Sequence, residues 1–548
     1  MSKGTITKVS GQFLAAEGLN DSGLYDVVRF PHRDISGEII GFENGEALIH
    51  LFDRATDIEL GHSVVSDKGP VTIELGPGLL GKVYDGIGRP LDDPDAPQLD
   101  HEKLWDFKAR VNVGDEVFGG DVLGTVAEDD KIIHKILVPH NVSGTIRAIN
   151  ENPCKLTDIV VSINGHDNTL HEISIMHKWP IRAPRPFAEK LLPGEPIVTL
   201  QRAIDAIYPI AKGSITAICG GYSTGKTTLE YQIAASVDVD VLVYVGCGER
   251  GNEMLHILDI LSSKAMTRKS VIIATTADMN PAMREASLYT GVTIAEYYRE
   301  MGCNVVLIAD SLSVWQESLL SAYPDEHEVS PYLARIYERV GRVAAIGREA
   351  REGTITFIAS SDRHPDPATE RSAKVMLTLN SALAEKKHFP AIDAIRSYSL
   401  YAENTREWFN KNVNDNWAKF SSKFTELLGL APDADIDKDT LSDAEKLIDR
   451  TVSVICDDFI TQDAHEEIYG CSLDKQYKYM RLIYDYYRLA KKTLDDGAPV
   501  EALISISSLD EIAVFKHTDD KDLGSAYRNI IEHLNSDVQK AATREEGR

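Results

Sequence analysis

The segment from Gly220 to Thr227, GGYSTGKT, constrains this chain more than any other because it has the pattern G-x-x-x-x-G-K-T. Glycines in this pattern let successive backbone N–H groups point at phosphate oxygens, while the lysine reaches the terminal phosphates and the threonine can ligate Mg²⁺. The apolar run SITAICG precedes it, and TLEYQIAASV follows it with helical spacing. The sequence therefore predicts a strand, a phosphate-binding loop and a helix N-terminus in that order.

Four further apolar runs follow along the chain, VDVLVYV, SVIIATT, NVVLIAD and TITFIAS, and polar or glycine-rich residues come after each. This pattern is typical of a parallel sheet covered by helices, in which ligands bind beyond the carboxyl ends of the strands. We therefore predict a P-loop α/β nucleotide-binding domain of the RecA-like class over residues 187–401.

The rest of the 548 residues divides by pattern into three further predicted domains. Residues 1–68 contain short alternating runs between turn residues, which predict a small N-terminal β-barrel. Residues 69–186 are glycine-rich with short alternating strands, and they predict a linker and an inserted β-rich module. Residues 402–548 have mostly helical periodicity and predict a C-terminal helical domain.

Composition excludes several classes of function. The formal net charge of −27 argues against a large nucleic-acid surface, because phosphate backbones require clustered lysine and arginine. No apolar stretch reaches the roughly 18 to 20 residues that span a bilayer, so a cytoplasmic protein is expected. The six cysteines contain no C-x-x-C pair, which favours buried reduced thiols over a metal site.

Transfer of a phosphoryl group to water needs a phosphate clamp, a metal ion, a water-polarising group and nearby positive charge. Asp310 closes the run NVVLIAD and is the candidate for the second carboxylate that organises Mg²⁺. Glu249, in VYVGCGERGNEM, also follows an apolar run and can orient the attacking water. The alternative for Glu249 is a solvated or helix-capping residue. Arg250 beside it can contact phosphate or form a structural ion pair with Glu249.

Several segments resemble the catalytic A subunits of V/A-type rotary ATPases, including ELGPGLLGKVYDGIGRPL, HKILVPHNVSGTI, KWPIRAPRPFAEK, VYVGCGERGNEM, HFPAI, SYSLY and CSLDKQY. These matches run through nearly the whole chain. The resemblance implies a subunit, peripheral to the membrane, that uses ATP or ADP with Mg²⁺. It also implies a hexamer in which this chain alternates with a B-type subunit, with a central stalk that couples to a membrane rotor.

The resemblance also implies a role for individual residues. Lys226 would hold the β and γ phosphates, Thr227 and Asp310 would organise Mg²⁺, and Glu249 would activate water. Phe389, in HFPAI, would pack on the adenine, and a neighbouring B-type subunit would supply an arginine. The residues expected to bind the nucleotide are Gly220, Gly221, Tyr222, Ser223, Thr224, Gly225, Lys226, Thr227, Thr228 and Phe389.

The chain departs from the pattern of that family near these residues. Gly221, Tyr222 and Ser223 stand where the family has Pro, Phe and Gly. The family's DSTSRW is DSLSVW here, so Val314 occupies the place of an arginine, and a lost positive charge can cost a few kcal/mol at a transition state. The rewritten segment SSDRHPDPATERSAKV contains two arginines that could replace this charge, and FITQDAHEE lacks an aromatic residue that the family has; His465 lies in that segment.

Two hypotheses for function remain on this basis. The first is a divergent catalytic subunit that interconverts ATP with ADP and phosphate and couples this reaction to proton or sodium ion transport. The alternative is a nucleotide-binding paralogue with slow or no turnover that has a structural or regulatory role in an assembly. The presence of Lys226, Thr227, Glu249 and Asp310 favours the first.

Overall fold

The computed structural model describes residues 2–31, 35–55, 58–129, 131–261, 269–323, 328–362, 365–432, 436–462 and 470–543, with the backbone alone at Glu249, Asn252, His256, Ile260 and Leu261. The chain forms two compact units. The first unit comprises Met1–Pro193, Lys212–Ile215 and Val239–Ser372, and the second comprises Gly194–Ala211, Thr216–Asp238 and Ala373–Arg548. The domain boundaries expected at residues 68, 186 and 401 stay a prediction.

The N-terminal part of the first unit is a closed barrel in the strand order β1-β2-β5-β4-β3-β6. Alternating side chains point inward and form an apolar core that contains Ile6, Ile39 and Ile49. The predicted β-barrel is thereby confirmed. The barrel strands are β1 (Ser2–Ser10), β2 (Phe13–Glu17), β3 (Val27–Arg29), β4 (Ser36–Glu43), β5 (Glu46–Leu51) and β6 (Ser63–Ser66).

The next segment of the first unit consists of short strands, as predicted for the inserted β-rich module. These strands are β7 (Thr72–Leu75), β8 (Val83–Tyr84), β9 (Phe107–Ala109), β10 (Glu116–Val117), β11 (Val122–Ala127), β12 (Ile133–Leu137), β13 (Gly144–Ile149), β14 (Ile159–Gly165), β15 (Leu170–Ser174) and β16 (His177–Pro180). They form a four-stranded sheet β10-β13-β14-β15, a three-stranded sheet β12-β11-β9 and the pair β16-β7.

Strands and helices alternate after this module, as the apolar runs predicted. The elements are β17 (Glu189–Leu191), α1 (Arg202–Ala206), β18 (Ile215–Cys219), α2 (Lys226–Ser236), β19 (Val241–Glu249), α3 (Gly251–Leu261), β20 (Ser270–Thr276), α4 (Pro281–Glu300), β21 (Asn304–Asp310), α5 (Leu312–Ala322), α6 (Ser330–Arg339), β22 (Gly341–Ala344), β23 (Glu352–Ser361), α7 (Pro367–Ser372), β24 (Val375–Thr378), α8 (Ser381–Glu385) and β25 (Tyr398–Ser399). The α/β class predicted for this part is confirmed.

In the first unit, four parallel strands lie in the order β23-β21-β19-β20, and β8 pairs with β20 at the edge. Strand β22 pairs antiparallel with β23, and β17 pairs with β22. The parallel strands are almost entirely buried, which explains why their sequences are continuous apolar runs.

Helix α4 is the central helix of the first unit, and it packs against β19, β20, β21 and β23 and also contacts β5 and β7. Its sequence is not amphipathic because it is buried on nearly all sides. Buried carboxylates on this helix are paired with arginines. Arg182 lies 2.8 Å from Glu285, and Arg339 lies 2.6 Å from Glu296. These pairs offset the cost of burying charge.

In the second unit, β18 pairs parallel with β24, and β25 pairs antiparallel with β24. The C-terminal part of this unit is helical, as predicted, and Ser442 begins one helix with a capping box that uses Glu445. Within the described residues, no helix combines the length and the apolar character needed to cross a membrane. The helices are α9 (Ala402–Asn412), α10 (Trp417–Gly429), α11 (Asp443–Val454), α12 (Leu473–Asp495), α13 (Val500–Leu503), α14 (Ser508–Val514) and α15 (Leu523–Thr543), with 3-10 turns at Lys438–Thr440, Phe515–His517 and Asp520–Asp522 and a π-helical segment at Ile455–Ile460.

Candidate functional site

The loop between β18 and α2 ends at Gly225, which is the N-cap of α2 and has a left-handed backbone (φ 85°). A glycine has no side chain to occupy the first-turn N–H groups, which together with the helix dipole favour an anion. Lys226 is 8% exposed, and its Nζ donates hydrogen bonds to the carbonyl oxygens of Gly220 at 3.1 Å and Gly221 at 2.9 Å. The ammonium therefore lies against the loop backbone, where phosphate oxygens can serve as stronger acceptors than carbonyls.

The interior of the loop is tightly packed. Thr224 donates a hydrogen bond from Oγ1 to the carbonyl oxygen of Gly221 at 2.8 Å, and a Cβ atom on Gly220 would lie 2.6 Å from that same Oγ1. Ser223 has a φ of 59°, a left-handed conformation that is unfavourable for most non-glycine residues. Tyr222 is 75% exposed. The loop backbone is thus fixed by its own contacts, with the tyrosine ring outside them.

A cavity of about 770 Å³ lies beside this loop within the second unit. The ring of Phe389 borders this cavity. It also lies close to the loop, because a Cβ atom on Gly225 would be 3.2 Å from a Phe389 ring carbon. The backbone N–H of Gln462 donates to the carbonyl oxygen of Phe389 at 2.6 Å and fixes this segment. An aromatic face next to a phosphate-binding loop suits a nucleobase. The cavity is lined by Ser223, Thr224, Gly225, Thr228, Ala384, Lys387, His388, Phe389, Asp457, Thr461, Gln462, Lys516 and His517.

Sequence reasoning missed the C-terminal wall of this cavity. His388 Nδ1 lies 3.7 Å from an oxygen of Asp457, so one wall brings together two segments far apart in the chain. Lys516 and His517 lie in a 3-10 turn almost 300 residues after the loop. No spacing in the sequence connects these positions to the loop, so only the folded chain could identify them.

The carboxyl ends of the parallel strands in the first unit hold the other predicted residues. Asp310 is 1% exposed at the end of β21, directly opposite Gly246 of β19 in the strand register. Its Oδ2 accepts a hydrogen bond from the Tyr244 hydroxyl at 2.9 Å, and its Oδ1 accepts one from Ser360 Oγ at 3.0 Å. The two hydroxyl groups, neither of which was predicted, fix the orientation of this carboxylate.

Glu249 is the last residue of β19, and its backbone pairs with Thr276 of β20, while its side chain lies outside the described atoms. Arg250 follows immediately and is exposed. Glu249, Arg250 and Asp310 thus belong to neighbouring strand ends of the first unit, whereas Lys226 and its loop belong to the second unit together with the Phe389 cavity. That these two groups act on one nucleotide is a proposal.

Three family models match successive parts of this chain. The model described as "ATP synthase alpha/beta family, nucleotide-binding domain" matches residues 201–399. The "ATPsynthase alpha/beta subunit barrel-sandwich domain" matches residues 96–182, and the "ATP synthase alpha/beta family, beta-barrel domain" matches residues 6–67.

Relatives match along the full length. The chain is 37% identical over 589 aligned residues to the V-type ATP synthase alpha chain of Acetivibrio thermocellus, covering 100% of both proteins. The chain belongs to the V/A-type ATP synthase alpha-chain family. Other members include the V-type ATP synthase alpha chain of Clostridioides difficile, at 38% identity over 98% of both chains. The A subunit of the A-type ATP synthase of Methanopyrus kandleri is 36% identical over 94% of both chains.

The fold is also shared with a more distant ATPase. The assembled ATPase EscN from the type III secretion system of enteropathogenic E. coli superimposes with a TM-score of 0.61. The match covers 88% of this chain and 99% of that chain at 21% identity, so it shows a common fold.

Val314 stands where the V/A-type alpha-chain family has an arginine, and the structure shows another arginine nearby. Arg284, on α4, borders the same glycine of β19 as Val314 does. A Cβ on Gly248 would lie 2.8 Å from Arg284 Cδ and 2.9 Å from Val314 Cγ1. Burial lowers the pKa of Arg284, and its Nε is buried without a hydrogen-bond partner among the described residues. A guanidinium therefore lies beside the position where the family has an arginine, and no sequence pattern had indicated it.

The other positions where this chain departs from its family are less defined. Arg371 lies exposed on the short helix α7. Arg363, the other arginine of the rewritten segment, and His465 lie outside the described residues. The suggestion that either arginine supplies charge to the site stays a prediction.

Proposed function

We propose that this chain is the catalytic A subunit of a V/A-type ATP synthase, which interconverts ATP with ADP and phosphate. The full-length similarity to proteins named V-type ATP synthase alpha chain supports this function. The structural observation that carries it is the junction of the Lys226 loop with the cavity bordered by Phe389. This junction provides a cationic end for phosphates and an aromatic wall for a base.

We assign the residues of the loop and Phe389, all in the second unit, to different parts of the nucleotide. The N–H groups from Gly221 to Thr228 and the helix dipole bind the phosphate oxygens, and the Lys226 ammonium neutralises charge between the β and γ phosphates. Phe389 packs against the adenine, and its stacking contributes about 1–3 kcal/mol. Tyr222 and Ser223 complete the loop where it meets solvent.

The two residues that we assign to Mg²⁺ have the donor chemistry that this ion prefers, since it takes oxygen ligands and retains several waters. Thr227 offers a hydroxyl in the first turn of α2, and Asp310 offers a carboxylate whose orientation is fixed by Tyr244 and Ser360. When bound, this ion would neutralise charge on the phosphates during transfer. We infer that Thr227 holds it directly and that Asp310 holds it through water.

Glu249 is the group we assign to the attacking water. A carboxylate at the end of β19 can accept a proton from that water and turn its lone pair toward the γ-phosphate. Arg250, directly after it, can contact the phosphate or hold Glu249 by an ion pair. A neighbouring B-type subunit would supply a further arginine to this site.

The relatives' names as ATP synthase subunits support a place for this chain in a larger complex, whose arrangement we propose. The chain would alternate with a B-type subunit in a hexamer around central stalk subunits. The stalk would link ATP turnover to proton or sodium ion transport by a membrane rotor, so this chain would lie at the membrane periphery.

Other functions are less well supported. A nucleotide-holding paralogue without turnover is not favoured, because the full-length relatives are named as synthase alpha chains and the chain has Glu249. A motor that acts on nucleic acid conflicts with the net charge of −27. The similarity to the type III secretion ATPase extends to the fold alone.

Nucleotide affinity of the Lys226→Ala chain tests the proposal at its base. Loss of the ammonium removes the charge that faces the phosphates, so Mg-ATP should bind at least about tenfold more weakly. Lys155→Ala, an exposed lysine of the β-rich module, is the matched control and should bind Mg-ATP like the unmodified chain. Equal affinity in both variants would show that the loop does not hold phosphates.

A further inference from the structure

A second cavity, of about 580 Å³, lies entirely within the first unit, between the inserted β-rich module and the end of α4. The chain that follows β12, the strands β15 and β16, and the last turn of α4 form its walls. Its size falls within the range of small-molecule sites, about 300–1,000 Å³. The nucleotide-binding residues proposed above do not line it.

A buried ion cluster forms the floor of this cavity. Glu300, the last residue of α4, accepts a hydrogen bond from Arg185 Nε at 2.7 Å, and its other oxygen lies 2.9 Å from His140 Nε2. Burial alone would raise the pKa of Glu300, but Arg185 and His140 outweigh it and lower that pKa to about 2. The carboxylate of Glu300 therefore interacts with both Arg185 and His140.

The wall next to this cluster is aromatic. The guanidinium of Arg185 lies 4.4 Å from the ring centre of Trp179, and the rings of His177 and Trp179 meet edge to face at 6.4 Å. His177 Nε2 accepts a hydrogen bond from Arg185 at 2.9 Å. The surrounding protein and Arg185 lower the pKa of His177 to about 3, so this imidazole is neutral at physiological pH. The wall thus offers flat apolar faces to a ligand.

Lys135 is a cation of this cavity that has no carboxylate partner among the described residues. Lys135 donates from Nζ to the carbonyl oxygen of Met301, and among the described residues no carboxylate lies within ion-pair distance of this ammonium. An ammonium has three donors and the Met301 carbonyl takes one of them, so this end of the cavity is suited to an acceptor with negative charge.

We propose that this cavity binds a small organic anion, whose flat apolar body lies against Trp179 and whose carboxylate or sulfonate accepts a hydrogen bond from Lys135. The site is separate from the proposed nucleotide site, because its lining includes neither the Lys226 loop of the second unit nor Glu249, Arg250 and Asp310 of the first unit. A bound anion would join the β-rich module to the end of α4 and stabilise their contact.

Binding of anilinonaphthalene sulfonate, an aromatic sulfonate, to the full chain in saturating Mg-ATP tests this proposal. Fluorescence titration should show one saturable site, and Lys135→Met should weaken it at least about tenfold, the effect of losing one charged hydrogen bond. Lys155→Met, the same substitution elsewhere in the β-rich module, should leave the affinity unchanged. Energy transfer from tryptophan to the probe should fall in Trp179→Phe and not in Trp408→Phe.

A second variant keeps the test decisive if Lys135→Met fails to fold, as judged by its circular dichroism and thermal midpoint. Lys135→Gln retains a donor toward the Met301 carbonyl and loses the positive charge, so it should weaken the probe's binding without loss of folding. Equal probe affinity in this variant and in Lys155→Met overturns the proposal. Energy transfer that is independent of Trp179 overturns it as well, since the probe then binds elsewhere.

Discussion

Arg284 and Val314 both border Gly248, at the carboxyl end of β19 and one residue before Glu249. The guanidinium of Arg284 is half-buried, and its Nε has no hydrogen-bond partner within the described residues. Removal of one donor directed at the charge that develops in a transition state commonly lowers turnover by about 10²–10³. We infer that Arg284 supplies the charge that the family's arginine supplies at position 314.

Replacing Arg284 should therefore lower ATP turnover. In the complex assembled with its partner subunits, we expect Arg284→Gln to hydrolyse ATP about a hundredfold more slowly, because the positive charge beside Gly248 and Val314 is lost. Val314→Arg should change turnover little, since the new guanidinium would meet that of Arg284. A faster Val314→Arg enzyme with normal turnover in Arg284→Gln would show instead that the charge is missing from this site. Arg147→Gln, at an exposed position of β13, serves as the control.

Phe389 should determine affinity for the base and not for the phosphates. We expect Phe389→Ala to bind Mg-ATP about ten- to a hundredfold more weakly, which corresponds to the loss of one stacking contact of about 1–3 kcal/mol. Inorganic tripolyphosphate has no base, so calorimetric titration should give it the same affinity in both proteins. An equal loss of affinity for tripolyphosphate would mean that Phe389 acts by supporting Gly225 and the loop.

Much of the fold followed from periodicity. The runs that became β19, β20, β21 and β23 were continuous and apolar because both faces of a parallel sheet are covered. The two-residue strand β8 and the four-residue strand β22 gave no such signal, since they are short and partly exposed. Their pairing depends on neighbours that are distant in the sequence.

Site residues that are close together in the sequence could be predicted, whereas contacts between distant segments could not. Lys226 and its loop form one contiguous motif, so their contacts could be expected from spacing alone. Tyr244 lies in the middle of an apolar run, and nothing in that run shows that its hydroxyl reaches Asp310. Lys516 reaches the Phe389 cavity from the C-terminal helices, through a fold that periodicity does not specify.

The cluster around Glu300 should make stability depend on pH. Its pKa is lowered from 4.5 to about 2 in the folded chain, so its stabilising contribution is present above pH 4.5 and is lost as the pH falls toward 2. The contribution is about 3 kcal/mol in full. Glu300→Gln should therefore lower the thermal midpoint most above about pH 5, and the difference from the unmodified chain should narrow below about pH 4. The exposed Glu189→Gln is the control, and a difference for Glu300→Gln that does not vary with pH would contradict this account.

Steady-state ATP hydrolysis by the assembled complex that carries Glu249→Gln tests the catalytic assignment most directly. The amide retains the shape of the side chain and cannot accept the proton of the attacking water. We expect turnover to fall about a hundredfold or more, the scale of a positioned general base, while Mg-ATP binds with unchanged affinity. If the Glu249→Gln complex and the unmodified complex hydrolyse ATP at the same rate, the chain does not use Glu249 for catalysis and the proposed mechanism is wrong.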